Sequence, residues 1–200
     1  MHLQAAGIQE TILEVSHQVA ARVYEWMAGT GPIRCFMEPL RREVAGHAHG
    51  TVLEVGAGSG LNFSNYDPER ITRVVAVEPD AAMLRLARSR VGPASAPIEL
   101  VQAPVEVLPF PDACFDSAVA TLVFCSVLDP MRGLDEVRCV LRPGGPLVPA
   151  TTRLAGNCHW NRATKRAVRA AGFEIAEIRR LGGLQPVIVV EAASGRENTQ

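Results

Sequence analysis

Apolar positions follow two different rhythms along this chain. Ile8, Ile12, Val15, Val19, Val23 and Trp26 recur at steps of three and four, which predicts an amphipathic helix over residues 8–27. A second helix is expected around Pro39–Ala45. Short apolar runs then alternate with mixed segments. Strands are expected near 51–55, 73–77, 98–101 and 116–122, and helices near 61–66, 80–90 and 130–140. The segment 161–171 reads as helix, and 174–180 and 187–192 as strands. Such alternation predicts an α/β fold, a doubly wound and mostly parallel sheet with helices on both faces. Pro146 and Pro149 fall in the expected fifth strand. Proline gives no ladder donor, so that strand is expected to be short or interrupted. Residues 1–193 read as one domain, with 1–46 a helical cover and 51–193 the α/β core. The polar tail 194–200 is expected to fray. No internal repeat is seen.

The chemistry concentrates between Val52 and Pro79. Val52-Leu53-Glu54-Val55 runs into Gly56-Ala57-Gly58-Ser59-Gly60, and Val74-Val75-Ala76-Val77 ends in Glu78. A strand, a glycine-rich turn and a carboxylate about 20 residues on form the layout of a nucleoside-binding βαβ unit. Gly56, Gly58 and Gly60 tolerate positive φ and leave backbone bare for a ligand. Glu78 can accept from both ribose hydroxyls and would repel a 2′-phosphate, which argues against NADP. Leu61 occupies the third glycine position of the dinucleotide fingerprint. Glu54 beside the loop is poor company for a pyrophosphate but suits a ligand with an ammonium and a sulfonium. No Gly-Lys-Ser/Thr follows, so a phosphate-binding P-loop is excluded. These details point to S-adenosylmethionine.

Further blocks carry a resemblance. They are Val101-Gln102-Ala103-Pro104-Val105-Glu106-Val107-Leu108-Pro109-Phe110, Phe115-Asp116, Thr121 to Val127, and Val140-Leu141-Arg142-Pro143-Gly144-Gly145. With the glycine loop they resemble the class I S-adenosylmethionine-dependent methyltransferases, the type 11 or ubiquinone/menaquinone-biosynthesis-like group. Leu122 to Val127 and Asn157-Cys158-His159-Trp160-Asn161-Arg162 resemble its thiol methyltransferase branch. The resemblance covers roughly Tyr24 to Ala192. It implies a Rossmann-like sheet and methyl transfer to a small, apolar acceptor: a thiol, a hydroxyl or a ring carbon. It also implies that the first helix covers cofactor and acceptor.

The resemblance assigns cofactor contacts residue by residue. Gly56, Ala57, Gly58 and Gly60 would meet the methionine part through their backbone, with Glu54 near the ammonium. Glu78 would hold the ribose, with Pro79 and Met83 against the adenine and Pro104-Val105 on its other face. Relatives often place an aspartate where Pro104 stands, and proline cannot make that contact. Thr121 and Leu122 would approach the sulfonium; ordinary strand packing is the competing reading for Leu122 to Val127. His159 is the candidate general base for an acceptor that must lose a proton. A surface or capping histidine ahead of a helix is the reading preferred for it. Relatives also carry a longer stretch after Gly145, which helps wall the acceptor pocket. Its shortness here sustains an alternative, a catalytically impaired cofactor-binding or interaction module.

Composition narrows the remaining choices. With 48% hydrophobic and 20% charged residues, the 200-residue chain fits an ordinary globular enzyme. A net charge of −1 gives no electrostatic case for nucleic acid or an anionic membrane surface. No apolar run reaches membrane-spanning length. The five cysteines include no C-x-x-C pair, which favours a reducing, cytoplasmic setting. Cys125 and Cys158 have no neighbouring base and read as packing residues. His47-x-His49 lacks a third ligand, so no metal is expected. An NAD-dependent short-chain oxidoreductase would need Tyr-x-x-x-Lys, but Tyr24 and Tyr66 are followed by Ala28 and Arg70. The expected partner is a small-molecule acceptor, and a homo-oligomer is compatible with the sequence.

Overall fold

The computed structural model describes residues 23, 26, 28–124, 126–152, 166–181 and 187–194. Strands β1 (Gly50–Val55), β2 (Ile71–Val77), β3 (Ile98–Val101), β4 (Ser117–Thr121), β5 (Pro146–Thr152), β6 (Phe173–Leu181) and β7 (Val187–Ser194) form one sheet. Its order is β3-β2-β1-β4-β5-β7-β6. The first five strands run parallel, and β7 enters antiparallel between β5 and β6.

The central strands read as continuous apolar runs because both faces of the sheet are covered. Alternate residues go to opposite faces. Leu53, Val55, Val75, Val77, Ala118 and Ala120 join one cluster with Leu134 and Val137 of α3 (Pro130–Val140). Val52, Val74, Ala76 and Val119 join the other, with Leu40 and Val44 of α1 (Gly31–Gly46) and Ala87 of α2 (Ala81–Val91). The sheet is therefore a two-sided wall with a core on each side.

Three expectations change. The second helix starts at Gly31, and Pro39 lies inside it. Pro39 sits on the exposed side of α1, where water can satisfy the carbonyl that its missing N–H frees. The helix expected at 61–66 is one 3₁₀ turn, Phe63–Asn65. Tyr66 leaves it at ψ 126, and Asp67 precedes Pro68, which disfavours continued helix. The fifth strand, expected to be short or interrupted, is seven residues long. It pairs without a gap to β4 from Leu147 to Ala150. On the β7 side the pairing skips Val148 and Pro149. The proline thus interrupts one ladder and not the strand. The helix expected over 8–27 falls almost entirely outside the described residues, although 23, 26, 28 and 29 are helical. Of the helix expected at 161–171, residues 166–170 are helical and 161–165 lie outside.

Candidate functional site

Strand order creates the site. The chain leaves β1 for β2 on one side, while β4 lies on the other. The carboxyl ends of β1 and β4 therefore flank a topological switch point, where open parallel sheets bind ligands. Glu54, the glycine loop, Glu78, Thr121 and Leu122 all reach this end of the sheet.

The loop is shaped by close packing. Gly56, Gly58 and Gly60 have φ of 63°, 57° and 80°. A Cβ on Gly56 would lie 2.0 Å from Val123 Cγ2, and one on Gly60 would lie 2.5 Å from Phe63 Cε2. A Cβ on Gly58 would meet nothing within 4 Å. Two glycines thus let neighbours close in, and Gly58 faces open space. Ala57, between them, is buried and donates to Val77 O at 3.0 Å. Leu122 adopts φ 59°, uncommon for a residue with a branched side chain. Its N–H donates to Ala150 O at 2.9 Å, so β5 holds the turn that carries Val123 against Gly56.

Glu78 ties the second strand to the loop. Its Oε2 accepts from Gly58 N at 2.9 Å and its Oε1 from Asp80 N at 3.0 Å. A carboxylate has about four acceptor positions, so two remain for a ligand's hydroxyls. Burial raises its pKa, opposed by the two backbone N–H donors.

Glu54 is more extreme, at 1% exposure. Oε1 accepts from Asn62 Nδ2 at 3.0 Å and Oε2 from the Tyr66 hydroxyl at 2.9 Å. Asn62 Nδ2 also donates to Thr121 Oγ1 at 3.0 Å, and Asn62 Oδ1 accepts from Arg41 at 3.0 Å. Burial pushes the Glu54 pKa up to about 7, against the pull of Tyr66, Asn62 and Arg41. Burial and the nearby carboxylate hold the Tyr66 hydroxyl well above its usual range, so it stays protonated and donates. Both hydrogen-bond donors to Glu54 are neutral groups, and a cation arriving beside it would stabilise the ionised form.

That burial makes stability depend on pH. The unfolded chain releases the Glu54 proton near 4.5 and the folded chain near 7. Between those values the folded state keeps a proton that the unfolded state has lost. This group's contribution is full below pH 4.5 and lost as pH rises through about 7. The loss should be on the order of 3 kcal/mol. Glu78 adds to it with the same sign. Urea unfolding at about pH 5 and about pH 7.5 should show the decline, and Glu54→Gln should flatten most of it. An equal slope in the variant would remove Glu54 from the account.

The other expected residues are placed as follows. Pro79 is exposed and its carbonyl accepts from Gln102 Nε2 at 3.1 Å. Met83 is half-buried at the start of α2, whose N-cap is Asp80. Pro104 is exposed. Val105 is 6% exposed, and its Cγ1 lies 2.9 Å from where Gly133 of α3 would carry a Cβ. Its side chain is therefore core packing. His159 and Cys158 lie outside the described residues. Asn62, Tyr66 and Arg41 form the polar support around Glu54, and the sequence reading assigned none of them to that role. For Asn62 and Tyr66 the signal was their recurrence four residues apart after Glu54; Arg41 had none. No group of three metal-ligating side chains occurs among the described residues.

Comparison with known proteins agrees with this geometry. Residues 53–148 match the model of the methyltransferase domain family. The ubiquinone/menaquinone biosynthesis C-methyltransferase UbiE of Geobacter sulfurreducens is 36% identical over 104 residues, 50% of this chain and 40% of that protein. The human thiol S-methyltransferase TMT1B is 37% identical over 122 residues, 56% of this chain and 49% of that protein. The chain thus spans about half the length of these curated relatives or less. The N-methyltransferase NodS of Bradyrhizobium japonicum, solved with S-adenosyl-L-homocysteine, superposes with a TM-score of 0.68 at 18% identity. That match covers 84% of this chain and 91% of NodS. The fold is that of the class I methyltransferases, and residues 53–148 are similar to the methyltransferase domain family.

Proposed function

We propose that this chain binds S-adenosylmethionine at the carboxyl end of β1 and transfers its methyl group to a small, apolar acceptor. One observation carries the reading. Two buried carboxylates, Glu54 and Glu78, flank the glycine loop at the ends of adjacent parallel strands. A phosphate would be repelled there, whereas a nucleoside bearing an ammonium and a sulfonium matches the charge. The open space at Gly58 leaves room for the ligand against bare backbone.

When bound, S-adenosylmethionine supplies an electrophilic methyl group whose sulfur leaves as a neutral thioether. Glu54 holds the ammonium, and Asn62 and Tyr66 hold Glu54. Glu78 accepts from the ribose with the lone pairs that Gly58 and Asp80 leave. The backbone of the glycine loop seats the methionine part. Pro79 and Met83 would lie against one face of the adenine, with Pro104-Val105 on the other. Thr121 and Leu122 face the sulfonium side. Such a site works chiefly by holding the acceptor in line with the methyl group and away from water. His159 is the candidate base where the acceptor must lose a proton. A thiol, a hydroxyl or a ring carbon is the acceptor class, in keeping with the relatives' names. A cytoplasmic setting belongs to the same reading, supported by the free thiols of Cys35, Cys114 and Cys139. No helix among the described residues is long and apolar enough to cross a membrane.

The test is incubation with methyl-labelled S-adenosylmethionine and panels of small thiols, phenols and quinols. Label should appear in an extractable product from at least one panel. Cofactor binding with label in no product would favour the impaired binding module instead. The unbroken β5 speaks against that alternative.

A further inference from the structure

The carboxylate at the end of β1 is governed from a helix that lies outside the glycine loop. Leu40 and Val44 of α1 are buried in the core against the sheet, which fixes the helix there. Arg41, next to Leu40, is half-buried and donates from Nη1 to Asn62 Oδ1 at 3.0 Å. A guanidinium can only donate, so this bond fixes the sense of the Asn62 amide. Asn62 is itself buried, and its Nδ2 is thereby turned the other way. That group donates to Glu54 Oε1 and to Thr121 Oγ1, both at 3.0 Å. An amide nitrogen has two protons, and these bonds use both. One side chain thus joins α1 to the ends of β1 and β4.

Arg41 also acts on Glu54 through space. Burial raises the carboxyl pKa to about 7, and Tyr66, Asn62 and the Arg41 charge pull it down. Among the described residues, Arg41 from α1 and the Tyr66 hydroxyl are the charged or titratable groups acting on Glu54. β4 adds the neutral Thr121 hydroxyl, through Asn62. A guanidinium bonded directly to Glu54 would occupy the lone pairs that an ammonium needs. Set one amide away, it favours the ionised form and leaves about two acceptor positions open.

We propose that Arg41 is a positioning residue of the cofactor site: through Asn62 it aims Glu54 at the ligand's ammonium and sets Thr121 on the sulfonium side. The inference rests on the reading of this site as one for S-adenosylmethionine. It gives α1 a part in that site, because recognition of the methionine part then depends on where the helix packs.

The test is calorimetric titration of wild type, Arg41→Met and Arg41→Lys with two probes. S-adenosyl-L-homocysteine carries the ammonium, and 5′-methylthioadenosine is a thioether of the same nucleoside without the amino-acid head. Arg41→Met should bind S-adenosyl-L-homocysteine about tenfold more weakly, the loss expected for one charge-assisted bond. It should bind 5′-methylthioadenosine as wild type does. Arg41→Lys, which keeps the charge and a donor, should recover most of the affinity. The pH profile is a second readout. Pairing with the ammonium needs Glu54 ionised, so affinity for S-adenosyl-L-homocysteine should fall as pH drops through about 7. Without the Arg41 charge that fall should begin at a higher pH. In an Asn62→Ala background Arg41→Met should cost much less than in wild type, since the relay is already cut. A purely structural role would weaken both probes alike and leave the pH profile in place. That result, or wild-type behaviour of Arg41→Met towards S-adenosyl-L-homocysteine, would overturn the proposal. A wild type that binds neither probe would instead overturn the cofactor reading on which it stands.

Discussion

Gly56→Ala should destabilise the protein by about 2–5 kcal/mol and abolish cofactor binding. The first part of that cost is steric. The new methyl would sit 2.0 Å from Val123 Cγ2, and Val123 cannot retreat easily. It follows Leu122, whose left-handed backbone is held by the bond from its N–H to Ala150 O. Overpacking of this kind costs about 1–3 kcal/mol. The second part is conformational, because φ of 63° costs an L-residue about 1–2 kcal/mol. Gly58→Ala provides the contrast. It has similar φ but nothing within 4 Å of the new methyl, so only the conformational cost remains. The added methyl would still occupy the space assigned to the ligand. Urea unfolding and cofactor titration of both variants separate the effects. Equal destabilisation by the two would show that packing against Val123 does not matter.

Glu78→Ala should weaken cofactor binding about 100-fold or more while changing stability little. Two charge-assisted bonds to ribose hydroxyls are worth about 1.5–3 kcal/mol each. Their loss falls wholly on the complex. In the free protein two terms oppose each other. The variant frees Gly58 N and Asp80 N from their acceptor, which destabilises the loop. It also removes a carboxylate whose pKa burial has raised, which relieves a desolvation cost. A thermal midpoint near that of wild type with lost affinity is the expected pair of results. Unchanged affinity would take Glu78 out of the site.

Much of this arrangement was legible in the chain because it depends on local chemistry. The strands β1, β2 and β4 show as apolar runs since both faces are buried, and Gly56 to Gly60 with Glu78 mark the turn between them. Tertiary contacts decided the rest. The turn at Phe63–Asn65 could not be separated from a helix by periodicity, because Asn62 and Tyr66 recur at helical spacing while serving Glu54. Pro149 looked incompatible with a central strand. The pairing to β7 skips its position, which no reading of one strand alone could show. The resemblance placed Val105 beside the adenine, but its packing against Gly133 of α3 shows only in the fold. Arg41 lies 21 residues from Asn62, and its role is visible only once α1 is packed on the loop.

The central claim is that this chain holds S-adenosylmethionine between Glu54 and Glu78. Calorimetric titration with S-adenosyl-L-homocysteine, on wild type and Glu78→Ala in parallel, tests it most directly. The account predicts one saturable site in the wild type, with affinity at least about 100-fold weaker in the variant, as two lost charge-assisted bonds require. A wild-type protein that is folded by circular dichroism yet shows no saturable binding would contradict it.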